Sequence, residues 1–335
     1  MESITAIVTG ANSGVGFALC NRLLDDFSNM RLCIICRNEQ RGTDALNALL
    51  TTHSGAAITL VLCDIGCISS VKKCCQEIRK LYKHIDFLFL NAGIMANPKV
   101  KVATVFTTLL QPSKLIHRFS TGSDLLLIDD STTNEGFKST FATNVLGHFY
   151  MVKELNEVLG GVKPSRIVWT SSRMASKDKF TIDDIQHESG IDPYASSKYL
   201  IDALSISMND KLRDKNITAA TTCPGMMRSG LSLGILSWWI WFLLAPIVKL
   251  LRLFIPAFTW EPTIGAEAMV WLSKQTASSL DPRVKYYSMC SFFGNPYTTT
   301  SKMDIDSEIA DRAYTKLEEI LEAHHSSQQS ASACS

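Results

Sequence analysis

Short apolar runs alternate with helical patterns along most of the chain. The run "ITAIVTG" is too short for a helix and is closed by glycine, so it predicts a buried strand; "GVGFALCNRLLDDF" behind it carries apolar residues at helical spacing. The same pairing recurs in "RLCIICR" with "NEQRGTDALNALLTTH" and in "AAITLVLCD" with "SSVKKCCQEIRKLYKH", before a fourth strand, "IDFLFLNAG". Further on, the pattern predicts a long helix from Thr133 to Leu159, the strand "SRIVWTSS", a helix carrying Tyr194 and Lys198, and the strand "ITAATTCPG". A helix "GAEAMVWLSKQ", a seventh strand around "VKYYSMC" and a closing helix complete the series. Uniformly apolar strands separated by helices predict right-handed βαβ units. The fold class is therefore α/β, a doubly wound, Rossmann-type parallel sheet of about seven strands covered on both faces.

Two segments break the rhythm. Residues 96–131, after the fourth strand, mix apolar and polar positions and read as an insertion, either a lid element or an interaction surface. Residues 229–258, after the sixth strand, read as an apolar lid or membrane segment. Within it, Ser229 to Val248 carries no charge over 20 residues, enough to cross a hydrocarbon core of about 30 Å. Lys249 and Arg252 follow as interfacial anchors would. A true span, however, would leave the seventh strand across the bilayer from its own sheet. The preferred reading is a lid helix whose Trp238, Trp239 and Trp241 dip into one leaflet, with a single span and a wholly buried lid as the alternatives. No repeat or linker divides the chain, so residues 1–323 read as one domain; the polar tail 324–335 is predicted to be disordered.

Charge narrows the function. With 33 basic and 32 acidic side chains the net charge is +1, which supplies no field for nucleic acid. Ten cysteines are spread through apolar runs with no secretory signal ahead of them, so reduced thiols are expected. Cys33 and Cys36 fall on opposite faces of a strand, and no second pair at ligand spacing follows, so no metal site is expected.

Candidate chemistry lies at the strand ends. The first strand closes in "TGANSGVG", where Gly10, Gly14 and Gly16 allow a tight turn and let amides at a helix start approach a pyrophosphate. Where an acid would bond the ribose of NAD, this chain has Cys36 followed by Arg37, which favours the 2′-phosphate of NADPH. Asp64 ends the third strand, where a carboxylate can accept the adenine amino group, and Asn91 to Gly93 end the fourth with small residues beside a cofactor. Ser171 and Ser172 end the fifth at the carboxyl edge. Tyr194 and Lys198 share one helix face at i and i+4, a phenol with an ammonium beside it that makes a proton donor.

Taken together, TGANSGVG, the Asn91–Gly93 "NAG", Asn144 in "FATNVLGHFY", the paired serines and "YASSK" resemble the short-chain dehydrogenases/reductases over about residues 1–300. "LCIICRN", "LNAGIMANP", "TNVLGHFYMVKEL", "IVWTSSR" and "PYASSKY" look further like the 3-keto-steroid reductases of sterol synthesis, also described as 17β-hydroxysteroid dehydrogenases. The resemblance implies a catalytic set of Tyr194, Lys198, Ser172 and Asn144, with Ser172 preferred to Ser171 and with Ser172 and Tyr194 meeting the substrate. It implies cofactor contacts from Thr9, Gly10, Asn12, Ser13, Gly14, Val15 and Gly16 in the first turn, and from Arg37 and Asn38 after the second strand. Asp64, Ile65, Asn91, Ala92 and Gly93 would contribute along the next two strand ends, and Tyr194, Lys198, Pro224, Gly225 and Ser229 beyond them.

The implied activity is NADPH-dependent reduction of a sterol 3-ketone to the 3β-alcohol, and in some members of a 17-ketone, at the endoplasmic reticulum membrane with the active domain cytosolic. A sterol or steroid ketone, a membrane surface and a homodimer partner are the implied partners. Reduction of another membrane-soluble carbonyl such as retinal, or a non-catalytic scaffold using the 96–131 insertion, are the alternatives. The intact set of Tyr194, Lys198, Ser172 and Asn144 weighs against the scaffold. Ser172 and Tyr194 lie 22 residues apart, a longer loop than in the plainest members, and it bears on substrate detail.

Overall fold

The computed structural model describes residues 3–101, 104, 107, 126–226 and 255–333. Strands β1 (Ile4–Thr9), β2 (Met30–Cys36) and β3 (Ala57–Leu62) step outward in parallel, each followed by a helix: α1 (Gly14–Asp26), α2 (Glu39–Thr52) and α3 (Ile68–Leu81). The chain then crosses to the other side of β1, where β4 (Phe87–Leu90) pairs with it in parallel. Strands β7 (Ser165–Thr170), β8 (Ile217–Cys223) and β9 (Val284–Cys290) extend that side. The reversal between β1 and β4 opens a crevice at the strands' carboxyl ends, where open α/β sheets hold ligands.

Both faces of the sheet are covered, which is why β1 and β7 are almost uniformly buried rather than alternating. Ala6, Val8, Leu32 and Ile34 pack toward α1, α2 and α6 (Glu267–Ser273). Ile7, Cys33, Ile35, Ile167 and Trp169 face α3, α4 (Gly147–Glu154), α5 (Pro193–Leu212) and α7 (Ser307–Ala333). Helix α5 is buried along most of its 20 residues. Pro193 sits in its first turn, where a missing amide costs nothing, and Asp192 caps it by accepting from the Ala195 amide at 3.0 Å.

Four expectations are corrected. The sheet has eight strands rather than about seven, because β10 (Pro296–Lys302) pairs antiparallel with β9 along the edge. "PYTTTSK" lacks the apolar face that marks a strand, being exposed or half-buried throughout. The helix predicted from Thr133 begins at Ser139: the Gly136 and Phe137 backbone closes a turn on Thr133, and Gly136 takes φ +86°. It also ends at Glu154, followed by turns to Leu159. The tail predicted to be disordered from residue 324 continues α7 to Ala333. His324 packs at a tilt against Phe137, with ring centres 5.3 Å apart, and His325 against Tyr150 at 5.4 Å, contacts that order a polar segment and that its composition could not announce.

The 96–131 insertion begins and ends as a two-stranded antiparallel ladder, β5 (Pro98–Val100) with β6 (Leu126–Ile128), separate from the main sheet. The Ser229–Phe254 part of the predicted lid lies outside the described residues. Among the described residues no helix is long and apolar enough to cross a membrane.

Gly147 lets the start of α4 pack directly on the backbone after β3. A Cβ there would run into the Ile65 carbonyl, a backbone atom that cannot swing aside. Gly147→Ala is expected to lower stability by about 1–3 kcal/mol, the usual cost of overpacking, as read from urea unfolding. An unchanged midpoint would show that α4 can move away.

Candidate active site

One hydroxyl gathers the nucleotide end of the crevice. Thr9 Oγ1 accepts from the Asn91 amide at 2.8 Å and the Ala92 amide at 2.9 Å, joining the ends of β1 and β4. The Asn91 side chain returns a bond from Nδ2 to the Thr9 carbonyl at 2.9 Å. Behind them His148 Nε2 lies 3.0 Å from Thr9 Oγ1, and its Nδ1 lies 3.4 Å from the Asn144 carbonyl. Burial pushes the His148 imidazole down to about 3, so it stays neutral and can both donate and accept. Sequence reading missed His148, and its one signal is a histidine inside the apolar run "GHFYM".

The glycine-rich turn has no room for a side chain at Gly10 or Gly16. Gly10 and Gly14 take φ +65° and +56°, the left-handed region that glycine enters without strain. A Cβ at Gly16 would meet the Gly10 carbonyl and, at 2.6 Å, Asn91 Nδ2. Asn12 and Val15 lie beside the same turn, and Ser13 stands at the N-cap of α1 with extended backbone and no side-chain bond, so the helix's first amides have no side-chain cap. At the ends of β2 and β3, Arg37 Nη1 lies 3.7 Å from Asp64 Oδ2, and both are well exposed. Asn38 spends its side chain capping α2, its Oδ1 accepting from the Arg41 amide at 2.9 Å. Ile65 is buried against Gly147.

The second half of the site lies across β4 and β7. Lys198 and Tyr194 are buried on one face of α5, with Lys198 Nζ 5.4 Å from the centre of the Tyr194 ring. Lys198 Nζ donates to the Thr170 carbonyl at 2.8 Å, at the end of β7. Burial pulls the ammonium down to about 8; the Asp202 carboxylate opposes that pull and the Lys285 ammonium adds to it. Burial pushes the Tyr194 phenol up to about 12, and a hydrogen bond with Ser172 offsets part of this. The paired serines divide: Ser171 Oγ donates to the Lys198 carbonyl at 3.2 Å, while Ser172 meets the phenol and accepts from the Met174 amide at 3.1 Å.

Asn144 joins the halves. It sits in a π-helical stretch, Ala142–Leu146, between the short turn Ser139–Phe141 and α4. The extra residue per turn loosens the helix at that point, a common device at functional sites. Its Oδ1 accepts from the Ile94 amide at 2.8 Å, and its Nδ2 donates to the Ile94 carbonyl at 3.0 Å and to Ser197 Oγ at 3.1 Å. A Cβ at Gly93 would sit 3.2 Å from Asn144 Oδ1 and 3.6 Å from Lys198 Nζ, so Gly93 borders Asn144 and Lys198 together. Gly225 follows Pro224 with φ +78°, its missing side chain facing the Ala257 carbonyl at 2.7 Å. Ser229 lies outside the described residues. Among the described residues no three His, Cys, Asp or Glu side chains gather to hold a metal.

Removing the Asn144 amide would leave the Ile94 backbone and Ser197 without three bonds. Asn144→Ala is expected to cost about 1–3 kcal/mol, the penalty for leaving buried polar groups unpaired, with faster proteolysis near Ile94 under native conditions. Wild-type protease resistance would mean that water or a shifted backbone replaces it.

Comparison with known proteins agrees with this architecture. The chain is 40% identical over 315 residues to a 3-keto-steroid reductase/17-beta-hydroxysteroid dehydrogenase 7 of Rattus norvegicus, covering 94% of each chain. It is 42% identical over 319 residues to the protein of the same name in Homo sapiens, covering 95% of this chain and 93% of that one. In fold it is similar to a short-chain oxidoreductase of Pseudomonas aeruginosa described with NADPH bound, with a TM-score of 0.60 and 18% identity over 87% of this chain and 98% of that one. A family model described as short chain dehydrogenase matches residues 4–111 and 122–238, and the chain belongs to the short-chain dehydrogenase family.

Proposed function

We propose that this chain reduces the 3-ketone of a sterol to the 3β-alcohol with NADPH, in sterol synthesis at the surface of the endoplasmic reticulum membrane. The observation that carries the reading is the meeting of Tyr194, Ser172 and Lys198 across the crevice from a glycine cradle. The rat and human relatives bearing the name 3-keto-steroid reductase supply the substrate class.

The residues fit a nicotinamide dinucleotide. Gly10 and Gly16 leave no room for a side chain and Gly14 takes a left-handed φ, the start of α1 carries no side-chain cap and so leaves amides for a pyrophosphate, and Gly93 leaves a bare face beside Lys198. Bound there, the nicotinamide supplies a hydride to the carbonyl carbon. Arg37 favours NADPH by offering a cation to the 2′-phosphate, with Asp64 beside it for the adenine end.

The chain's own groups handle the oxygen. Ser172 donates to the carbonyl and stabilises the negative charge that builds on it. Tyr194, a buried phenol held above its ordinary value, is fully protonated at neutral pH and transfers that proton to the more basic alkoxide. Lys198 places positive charge beside the resulting phenolate, and Asn144 holds the Ile94 backbone next to Gly93, which borders the lysine.

NADPH oxidation by detergent-solubilised protein tests the reading, with a 4-methyl-free sterol 3-ketone and retinal as parallel substrates. Sterol turnover is expected, reduced about 10²–10⁴-fold in Tyr194→Phe, the usual worth of a positioned acid. Turnover of retinal alone would reject the sterol, and silence on both with NADPH bound would reject catalysis. Arg37→Ala is expected to shift preference toward NADH about tenfold, equivalent to about 1.4 kcal/mol, as read from the two kcat/KM values; an unchanged ratio would remove Arg37 from cofactor choice.

A further inference from the structure

Lys285 sits in β9, seven residues long and paired on both sides. Its neighbours Val284 and Tyr286 face the α1 and α6 side, so Lys285 points the other way, under α5. Its side chain is 6% exposed and its Nζ lies 2.5 Å from Asp202 Oδ2, itself 5% exposed. The same Nζ donates to the Ser172 carbonyl at 3.0 Å. Asp202 lies one helical turn beyond Lys198 on α5. The cation thus ties together β9, the catalytic helix and the peptide that carries the candidate serine.

Packing alone gives no reason for this arrangement. Two charges taken out of water lose hydration that their attraction only partly restores, and apolar residues of similar volume often hold a core as well or better. The contacts of Lys285 instead end on the Ser172 peptide and on Asp202, one helical turn from Lys198.

We propose that Lys285 and Asp202 are positioning residues of this site: Lys285 fixes the Ser172 peptide so that its hydroxyl meets Tyr194, and Asp202 balances the charges of Lys198 and Lys285. The inference rests on the reading of Tyr194, Ser172 and Lys198 given above and needs only that a carbonyl is reduced there. The charged and titratable groups around the pair are Tyr194, Lys198 and Asp202 on α5, Asp192 at its cap, Cys223 on β8, and Lys285 and Tyr287 on β9. Arg173, stacked 4.9 Å from the Tyr287 ring, closes the far side. Asp202 favours the protonated Lys198 and Lys285 disfavours it, so the two charges act in opposite directions on one group.

The test compares Lys285→Met, Asp202→Asn and the charge-free double variant Lys285→Met with Asp202→Leu, assayed with NADPH and the sterol ketone beside wild type and Tyr194→Phe. The double variant is expected to melt near the wild-type temperature and to bind NADPH unchanged, yet to lose about tenfold or more in kcat. In wild type, ketone reduction is retained at low pH and lost as pH rises through the Lys198 value of about 8. Asp202→Asn removes the charge that favours the ammonium and moves that limb to lower pH; Lys285→Met moves it to higher pH. Where either single variant fails to fold around its stranded charge, the double variant decides. Wild-type kcat in the double variant, an unmoved limb in both singles, or failure of the double variant to fold would each overturn the proposal by assigning the pair to the scaffold. Full activity in Tyr194→Phe would instead reject the site reading itself, and this inference with it.

Discussion

The bond between the Thr9 hydroxyl and the Asn91 and Ala92 amides holds the crevice together. The chain enters the sheet at its middle, runs outward through β2 and β3, and returns on the other side of β1 as β4. At that reversal the carboxyl ends of β1 and β4 have no strand between their loops, and their backbone groups must find partners elsewhere. Thr9 and Asn91 supply them, and the Asn91 side chain closes the loop by bonding the Thr9 carbonyl. The glycine turn, the bare Gly93 face and the Asn144 π-helical stretch all lean on this junction, and His148 locks it from below.

Desolvation governs the chemistry at the other end. It is the largest influence on Tyr194, Lys198 and Asp202 alike, and in each it favours the uncharged form. Such a site works only where charge is returned to it selectively. The Thr170 carbonyl accepts from the buried Lys198 ammonium and the Asp202 carboxylate favours its charge, while Ser172 offers the phenol a polar partner. The price in stability is borne by α5, which is buried along nearly its whole length and anchored by its Asp192 cap.

Sequence patterning reached the strands whose faces are uniformly apolar and stopped where burial is one-sided or absent. β10 escaped because its threonines and tyrosine present no apolar face, although "FFGNP" before it carries a turn signal. The helical segment that leads into α4 was drawn from Thr133 rather than Ser139, because Gly136 interrupts an otherwise helical composition only through its positive φ. The closing helix was cut short because composition measures what a segment could bury, not that His324 and His325 have aromatic partners waiting on the sheet's far layer. At the site, Tyr194 and Lys198 were legible because a spacing of four on a helix is a local fact, and the glycine turn because φ and crowding act on neighbouring residues.

By itself, then, the sequence determined the parallel α/β class, the glycine cradle, the phenol and ammonium on one helix face, and the pairing of Arg37 with the end of the second strand. These follow from interactions over a few residues, where periodicity and backbone sterics decide. The tertiary structure alone decided which of Ser171 and Ser172 meets the phenol, that His148 stands behind Thr9, and that Lys285 reaches Asp202 and the Ser172 carbonyl from a strand more than eighty residues away. Those contacts join residues distant in the chain, and what selects them is the need to pair each polar group that the packed sheet has removed from water.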